Sequence, residues 1–545
     1  MGLENESGQR TTRFNLIDEP WLTVTSGGGP RAVSLREVFE QAPKLTGVQG
    51  ELPTHAFAHT RLLLAIAYRA LEAQLETKAD WARLWEDGLP VDVIHGYLER
   101  HRDRFDLLHP ETPFYQVANL STQKGETKGV DQLLADLPAN KRLFTNRAGA
   151  GLHSLSFAEA SRWLVAAQAF EASGIKSGAL GDERVSDGKG YPIGVAFAGL
   201  LGGILIEGSN LGETLLLNLI PGRVRGWDGE DDPAPWERTQ LGAAEERAGR
   251  QPRGVVDLLT WPSRRIRLIS DGTAITGSLI ANGDKLTPQN LHRVETMTAW
   301  YRSTPQEKKL GLPLVYMPRE HNPGKALWRG LPALLADTTS RATGHDAAAH
   351  LVPATLQWLA TLQAEETLPP DTRIGIRAIG VAYRSKSSVV SDVIDDRLHL
   401  ALVVLRQEAG PLAHIAEAAL HRAEEAVFAL KTLAGNLAAA AGGETDGPRD
   451  RAEEAGYAAL DAPFRRWLGA LGQDSDPEVA YAEWKQQAAR QVRELGDSLV
   501  EATGPHAWVG REYRGAFINS MIAQDRFHRS LSKTMNTQSV AKETK

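Results

Sequence analysis

Apolar residues recur at helical spacing through much of the chain. Residues 54–76, THAFAHTRLLLAIAYRALEAQLE, are apolar on nearly every side, which predicts a helix inside a core. Just before it, SLREVFEQA begins with Ser34 and places Glu37 three residues on, the signature of a capping box. Helical spacing continues over 80–104 and returns in 155–172, LSFAEASRWLVAAQAFEA. Shorter alternating runs predict strands: FNLIDEPWLTV at 14–24, with a turn at Glu19-Pro20, and WPSRRIRLI, LIANGDKL and LPLVYMP within 254–330. VAFAGLLGGILIEG and TLLLNLI read as strands or buried elements. From residue 411 the pattern becomes periodic again, over 411–441, about 449–471, about 477–502 and about 507–531. AGGETDGP, GQDSDP and ATGP separate these runs, which predicts an antiparallel four-helix bundle. The expected fold class is α+β: a large mixed N-terminal domain over 1–400, the bundle over 401–535, and a disordered tail over 536–545.

Two stretches break the periodicity. Residues 173–194, SGIKSGALGDERVSDGKGYPIG, hold six glycines in 22 positions, too many for a helix or a central strand. They predict a loop with positive φ angles or close backbone approach, and its length tilts it toward function. Residues 226–252 form an acidic insertion rich in Pro, Gly and Glu, expected to be a mobile surface loop.

Composition changes this picture in two places. None of the 545 residues is cysteine, which removes disulfides, thiolate metal sites and cysteine nucleophiles. The formal charge of −7 argues at first against nucleic acid, but the charge is segregated. Residues 250–329 carry 13 Lys/Arg and 6 Asp/Glu, a net of +7, while 411–504 carry 9 and 16, a net of −7. A basic middle of this kind could face phosphates or simply be solvated surface. The N-terminus lacks the apolar region of a secretory signal, and the longest apolar run, residues 195–206, is too short to span a membrane. A cytoplasmic location with no membrane contact is expected.

Several segments imitate catalytic motifs without their chemistry. His55 and His59 sit at i,i+4, but HAFAH lacks the zincin Glu and offers no third ligand. Gly188-Lys189-Gly190 resembles the end of a P-loop, with Gly190 where the magnesium-binding hydroxyl belongs. Ser173-Gly174-Ile175-Lys176 fits S-x-x-K, yet no partner motif follows. No carboxylate cluster has two-metal spacing. Neither a metal nor a cofactor is expected. The glycine loop, the basic middle and a turn at VAYRSKSS, 381–388, remain; backbone N–H groups beside glycine can approach a phosphate or the floor of a narrow groove.

FNLIDEPWLTV, LFTNRAGAG at 143–151, the glycine loop, MTAWYRSTPQEKKLGLPLVYMPREH at 297–321 and the C-terminal helices together resemble, in order, the CasA family. Its members are the large subunits of type I-E CRISPR Cascade surveillance complexes. The resemblance implies a non-catalytic subunit that reads the protospacer-adjacent motif of duplex DNA from the minor groove and aids R-loop initiation. It also implies that the subunit holds the displaced strand and recruits a helicase–nuclease. Guide pairing then reads the sequence while the protein reads a short duplex element. The implied partners are other Cascade subunits, crRNA and target DNA.

By resemblance the DNA-contacting glycine loop is Ser173, Gly174, Ile175, Lys176, Ser177 and Gly178. The loop near the crRNA handle and the neighbouring subunit is Phe144, Thr145, Asn146 and Arg147. The family's lysine finger falls on Leu291, flanked by Asn290, His292 and Arg293, so a basic finger rests on Arg293 or His292. Its glutamine wedge falls near Ser387, in a hairpin tip of Arg384, Ser385, Lys386, Ser387 and Ser388. The cysteine-rich zinc knot of some relatives has no counterpart. Two other functions stay open: a scaffold that binds only protein, and a hydrolase using Ser173 and Lys176. In the helical region Arg465, Arg466, Arg490 and Arg493 are candidates for a basic stripe, with pairing to nearby glutamates as the alternative.

Overall fold

The computed structural model describes residues 12–135, 149, 153–226, 231–335, 348–384, 386–405 and 410–536. The architecture is α+β, and the chain divides into two compact units. The first comprises Met1–Lys325, Thr338–Leu359 and Gly375–Arg397; the second comprises Ala326–Asp337, Ala360–Ile374 and Leu398–Lys545.

The first unit is built around the helix Pro53–Ala70, which is buried on almost every face. Even one of its two arginines is internal: the Arg61 guanidinium meets the Glu295 carboxylate at 2.9 and 3.1 Å, both side chains nearly inaccessible. Against this helix pack Phe157–Phe170, Val91–Arg100 and Val255–Leu259. Leu35–Glu40 begins with the expected capping box: Ser34 Oγ accepts from Glu37 N–H at 3.2 Å, and Glu37 accepts from Ser34 N–H at 2.8 Å. Arg264–Ser270 and Ile275–Asn282 form an antiparallel hairpin, and Tyr316–Pro318 pairs with Trp300–Arg302, in the segments where alternation predicts strands. A three-stranded sheet places Arg373–Arg384 between Val389–Ala401 and Gly203–Glu207.

Two local expectations are decided in this unit. Of the two readings of TLLLNLI, 214–220, the buried element holds: its first four residues end a buried helix, Leu211–Leu217, which Asn210 caps by accepting from Glu213 N–H. The acidic insertion is not a free surface loop over its described part. Ala234, Trp236 and Arg250 are buried, and the Trp236 indole donates to Tyr97 Oη at 2.6 Å. Aromatic anchors outweigh the polar composition there.

In the second unit Pro411–Ala441 packs against three other long helices, Asp446–Ala470, Pro477–Glu501 and Ser520–Asn536. Phe464, Trp467 and Trp484 form an aromatic cluster among them, with the Trp484 indole donating to the Ala419 carbonyl. Contact is closest at Gly496, where a Cβ would lie 2.2 Å from the Phe527 ring. The periodic run at 507–531 is not one helix. A short helix, Pro505–Val509, is followed by a hairpin, Arg511–Tyr513 with Ala516–Ile518, before the last helix starts. Gly510 at φ +75° and the Arg514-Gly515 tip at φ +51° and +77° interrupt it, the two-residue geometry of a primed hairpin turn. The tail beyond Asn536 lies outside the described residues. Among the described residues no helix is long and apolar enough to cross a membrane.

Candidate nucleic-acid interface

The glycine segment is folded. Lys176–Ser177, Lys189–Gly190 and Val185–Ser186 form a small three-stranded sheet in the order first, third, second along the chain. Its turn is Asp187-Gly188, both at positive φ, a primed two-residue hairpin. The two glycines nearest the candidate contact act differently. Gly174 has room for a Cβ, which would meet Ser388 Cβ at 3.9 Å, but its φ is +144°, a backbone L-residues rarely adopt. Gly178 is required for room: a Cβ there would lie 2.5 Å from the Gly188 carbonyl carbon and oxygen and 2.6 Å from Val185 Cγ1.

Two of the segments singled out by sequence are brought together. Ser173 N–H donates to the Ser387 carbonyl at 2.8 Å, and a Cβ on Gly174 would touch Ser388. The tip of the long hairpin thus lies on the start of the glycine loop. Lys386 and Ser387 both sit at positive φ, +58° and +62°, and are exposed with Arg384 and Ser388. Left-handed backbone at two adjacent non-glycine residues stores strain, as functional turns do. Beneath them opens a cleft of about 290 Å³ lined by Trp163, Phe170 and residues 131–135, 173–176 and 388–390. Ile175 stands exposed beside it.

Lys176 is not a free cation. Its ammonium pairs with Glu171, and burial lowers its pKa while that carboxylate pushes it back up. Ser173 and Lys176 are therefore not set up as a nucleophile–base pair. Asn290 is used structurally: its side chain accepts from Tyr316 N–H and donates to the Leu314 carbonyl, with its own φ at +60°. His292 packs edge-on to Trp300 and Tyr316; burial, then the charge of Arg293, lowers its pKa to about 4, so at neutral pH it is uncharged. Of this trio Arg293 alone is an exposed cation. Among the described residues no hydrogen bond or ion pair joins 290–293 to the glycine loop or the hairpin tip. Phe144, Thr145, Asn146, Arg147 and Ser385 lie outside the described residues.

The basic middle is exposed only in part: Lys285, Arg293, Lys308, Lys309, Arg319 and Lys325 are exposed, while other cations of the run are internal. Arg250 and Arg265 are buried against Asp257 and Asp284. Burial alone would raise Asp284, but Arg265 and Arg250 hold its carboxyl below the usual carboxylate range. Arg302 pairs with Glu307, and Arg264 is fully buried. In the second unit Arg465 pairs with Asp461 one turn away, whereas Arg466, Arg490 and Arg493 are exposed. His55 and His59 are core residues: His55 pairs with Glu51, and His59 Nε2 meets the Arg162 carbonyl at 3.2 Å. Among the described residues no group of three or more His, Asp or Glu side chains is placed to hold a metal ion.

Sequence reading missed Arg264 and Glu171, which bond at the neck of the loop, and the role of Tyr383, which ties the hairpin to the helix end at Phe170. The Asp187-Gly188 pair was the available signal for the turn; the contacts of Arg264 had none, since its partners lie about 70 to 96 positions away.

A family profile described as CRISPR-associated protein Cse1 matches residues 15–495. The chain is 44% identical in sequence to Thermobifida fusca Cse1, whose crystal structure it matches with a TM-score of 0.88 over 96% of this chain and 98% of that one. It is 32% identical over 442 residues to the CRISPR-associated protein CasA/Cse1 of Thermus thermophilus, covering 80% of each. A chain from a structure described as a CRISPR RNA-guided surveillance complex shares the fold, with a TM-score of 0.68 at 19% identity over 95% of this chain and 99% of that one. A mixed α/β unit that carries a glycine sheet against a long hairpin, together with a helical unit, thus defines a known class of CRISPR-associated protein. The chain belongs to the Cse1 family, also called CasA.

Proposed function

We propose that the chain is a non-catalytic DNA-recognition subunit of a crRNA-guided type I-E Cascade complex. It reads the protospacer-adjacent motif of foreign duplex DNA from the minor groove, helps to start the R-loop and recruits the helicase–nuclease. The observation that carries this reading is the junction of the glycine loop and the hairpin tip, through Ser173 and Ser387. Residues 173–178 supply glycine backbone at Gly174 and Gly178, and Lys386 with its neighbours supplies an exposed, strained projection beside it. Such a pair suits a narrow groove and the base step next to it. Membership of the Cse1 family supports the same reading.

In this reading residues 1–400 present the motif-reading loops, with Arg293 as the outward cation of the finger region. Asn290 and His292 shape that region, and Phe144, Thr145, Asn146 and Arg147 meet the crRNA handle or a neighbouring subunit. Residues 401–535 form a four-helix bundle that contacts the other subunits and the displaced strand through Arg466, Arg490 and Arg493. The subunit acts in the cytoplasm with no cofactor.

The test is a reconstituted complex carrying crRNA, offered duplexes that differ only in the motif. The variant Gly174→Ala/Gly178→Ala should assemble and lose motif-dependent binding; binding equal to the parent's refutes the assignment. The burial of Arg250 and Arg265 against carboxylates removes part of the positive charge from the surface and favours a second reading, a scaffold that binds protein alone. Salt separates the two, because each neutralised phosphate contributes a log–log slope of about −0.9.

A further inference from the structure

The glycine loop starts just beyond the C-terminal end of the helix Phe157–Phe170 and closes at residue 194, all within the first unit. Helix C-termini leave carbonyls without partners. Here they converge on one buried cation. The Arg264 guanidinium donates to the Glu171 carboxylate at 2.9 Å and to the backbone carbonyls of Glu171 and Ala172, each at 3.2 Å. The same Nη2 donates to the Gly194 carbonyl at 2.8 Å, on the returning segment. Nη1 is taken by the Ser263 carbonyl. One side chain therefore bonds both ends of the loop at its neck, and a guanidinium at a helix C-terminus also suits the helix dipole.

The clamp is itself registered. Gln168, on the helix, accepts from Arg264 N–H and donates to the Arg264 carbonyl, both at 3.0 Å. The hairpin is tied to the same helix end, since Tyr383 Oη donates to the Phe170 carbonyl at 2.8 Å. Arg264 is 1% exposed in its side chain, so it cannot touch a duplex. We propose that Arg264 is the positioning residue of the motif-reading site: by closing the neck of the glycine loop at the helix end that also anchors the hairpin, it fixes the spacing of the two groove-facing segments. This role rests on the reading of residues 173–178 as DNA-contacting.

A positioning role differs from a merely structural one in what it moves. Loss of stability lowers binding to every duplex alike, whereas loss of spacing lowers the preference for the motif. The experiment uses the fully assembled crRNA complex with parental chain or with Arg264→Lys, which keeps the charge but loses the fork that spans the neck. Two quantities are read: the ratio of Kd values for motif-free and motif-bearing duplex, and amide hydrogen exchange over 173–194. The expected result is a ratio at least tenfold lower and exchange at least tenfold faster, with binding to motif-free duplex within twofold of the parent. A ratio equal to the parent's overturns the proposal. Should Arg264→Lys fail to fold, Glu171→Gln retains an acceptor without the charge-assisted bond; a threefold fall in the ratio supports the proposal and an unchanged ratio overturns it. A parental complex with no motif preference overturns the functional reading and this role with it, and is recognised before any variant is compared.

Discussion

Substituting Gly178 with alanine isolates the steric half of the glycine loop. The new methyl would stand 2.5 Å from the carbonyl carbon and oxygen of Gly188, and 2.6 Å from Val185 Cγ1. Ordinary contact begins near 3.4 Å, so the strands must part by close to an ångström, and two of the three blocking atoms are backbone that cannot rotate away. Overpacking of this kind costs about 1–3 kcal/mol. The bond most exposed to the cost is the one from Gly178 N–H to the Gly188 carbonyl, at 3.1 Å. A penalty of that size raises the open population of the small sheet by about 5- to 150-fold. Amide exchange resolved by residue reads it directly: protection at Gly178 and Gly190 falls by that factor, while amides in the helix Pro53–Ala70 keep theirs. Unchanged protection at Gly178 would refute the argument, because it would mean the sheet yields without cost.

Arg61→Met leaves the Glu295 carboxylate buried without its partner, and loss of one member of such a pair costs about 3–5 kcal/mol; the denaturant midpoint of the first unit should fall accordingly, and a shift near zero would refute the pairing. Burial, then the charge of His55, lowers the His59 pKa to about 3, below the 6.5 of an unfolded histidine. The unfolded chain therefore binds the extra proton first, so stability is full above pH 6.5 and falls by up to about 1.4 kcal/mol per pH unit below it, toward pH 3. His59→Phe should flatten that slope in thermal melts between pH 7 and 5, and an equal slope in parent and variant would contradict the assignment. Ser34→Ala removes half of the capping box and should destabilise the first unit by about 1 kcal/mol; a melt indistinguishable from the parent's would show that the cap is dispensable.

Local patterns were legible where local physics decides. The capping box at Ser34, the apolar periodicity of 54–76 and the alternation at 264–270 each state their element in a few adjacent residues. Gly510 and the Arg514-Gly515 turn carried a legible signal too, but the apolar spacing on either side masked it. Charge was the poorest guide. Arg250, Arg264 and Arg265 look like a phosphate-facing run in sequence, yet their carboxylate partners, Glu171, Asp257 and Asp284, are supplied by other elements. The same holds for the candidate site. Glycine density marked the loop, while its meeting with Ser387 joins residues more than 200 positions apart and leaves no trace in either segment.

The buried arginine network has a practical consequence for handling the subunit. Arg265, Arg250, Asp257 and Asp284 lie where mobile ions cannot penetrate, so the Debye length of the buffer scarcely reaches them. Contacts to nucleic acid, as proposed above for the exposed loops, would lie outside that shield and weaken steeply as counterions compete. Molar salt should then strip bound polynucleotide while leaving the fold intact, so that the two events occur at well-separated ionic strengths. A purification could exploit that window to recover a folded chain free of carried-over nucleic acid.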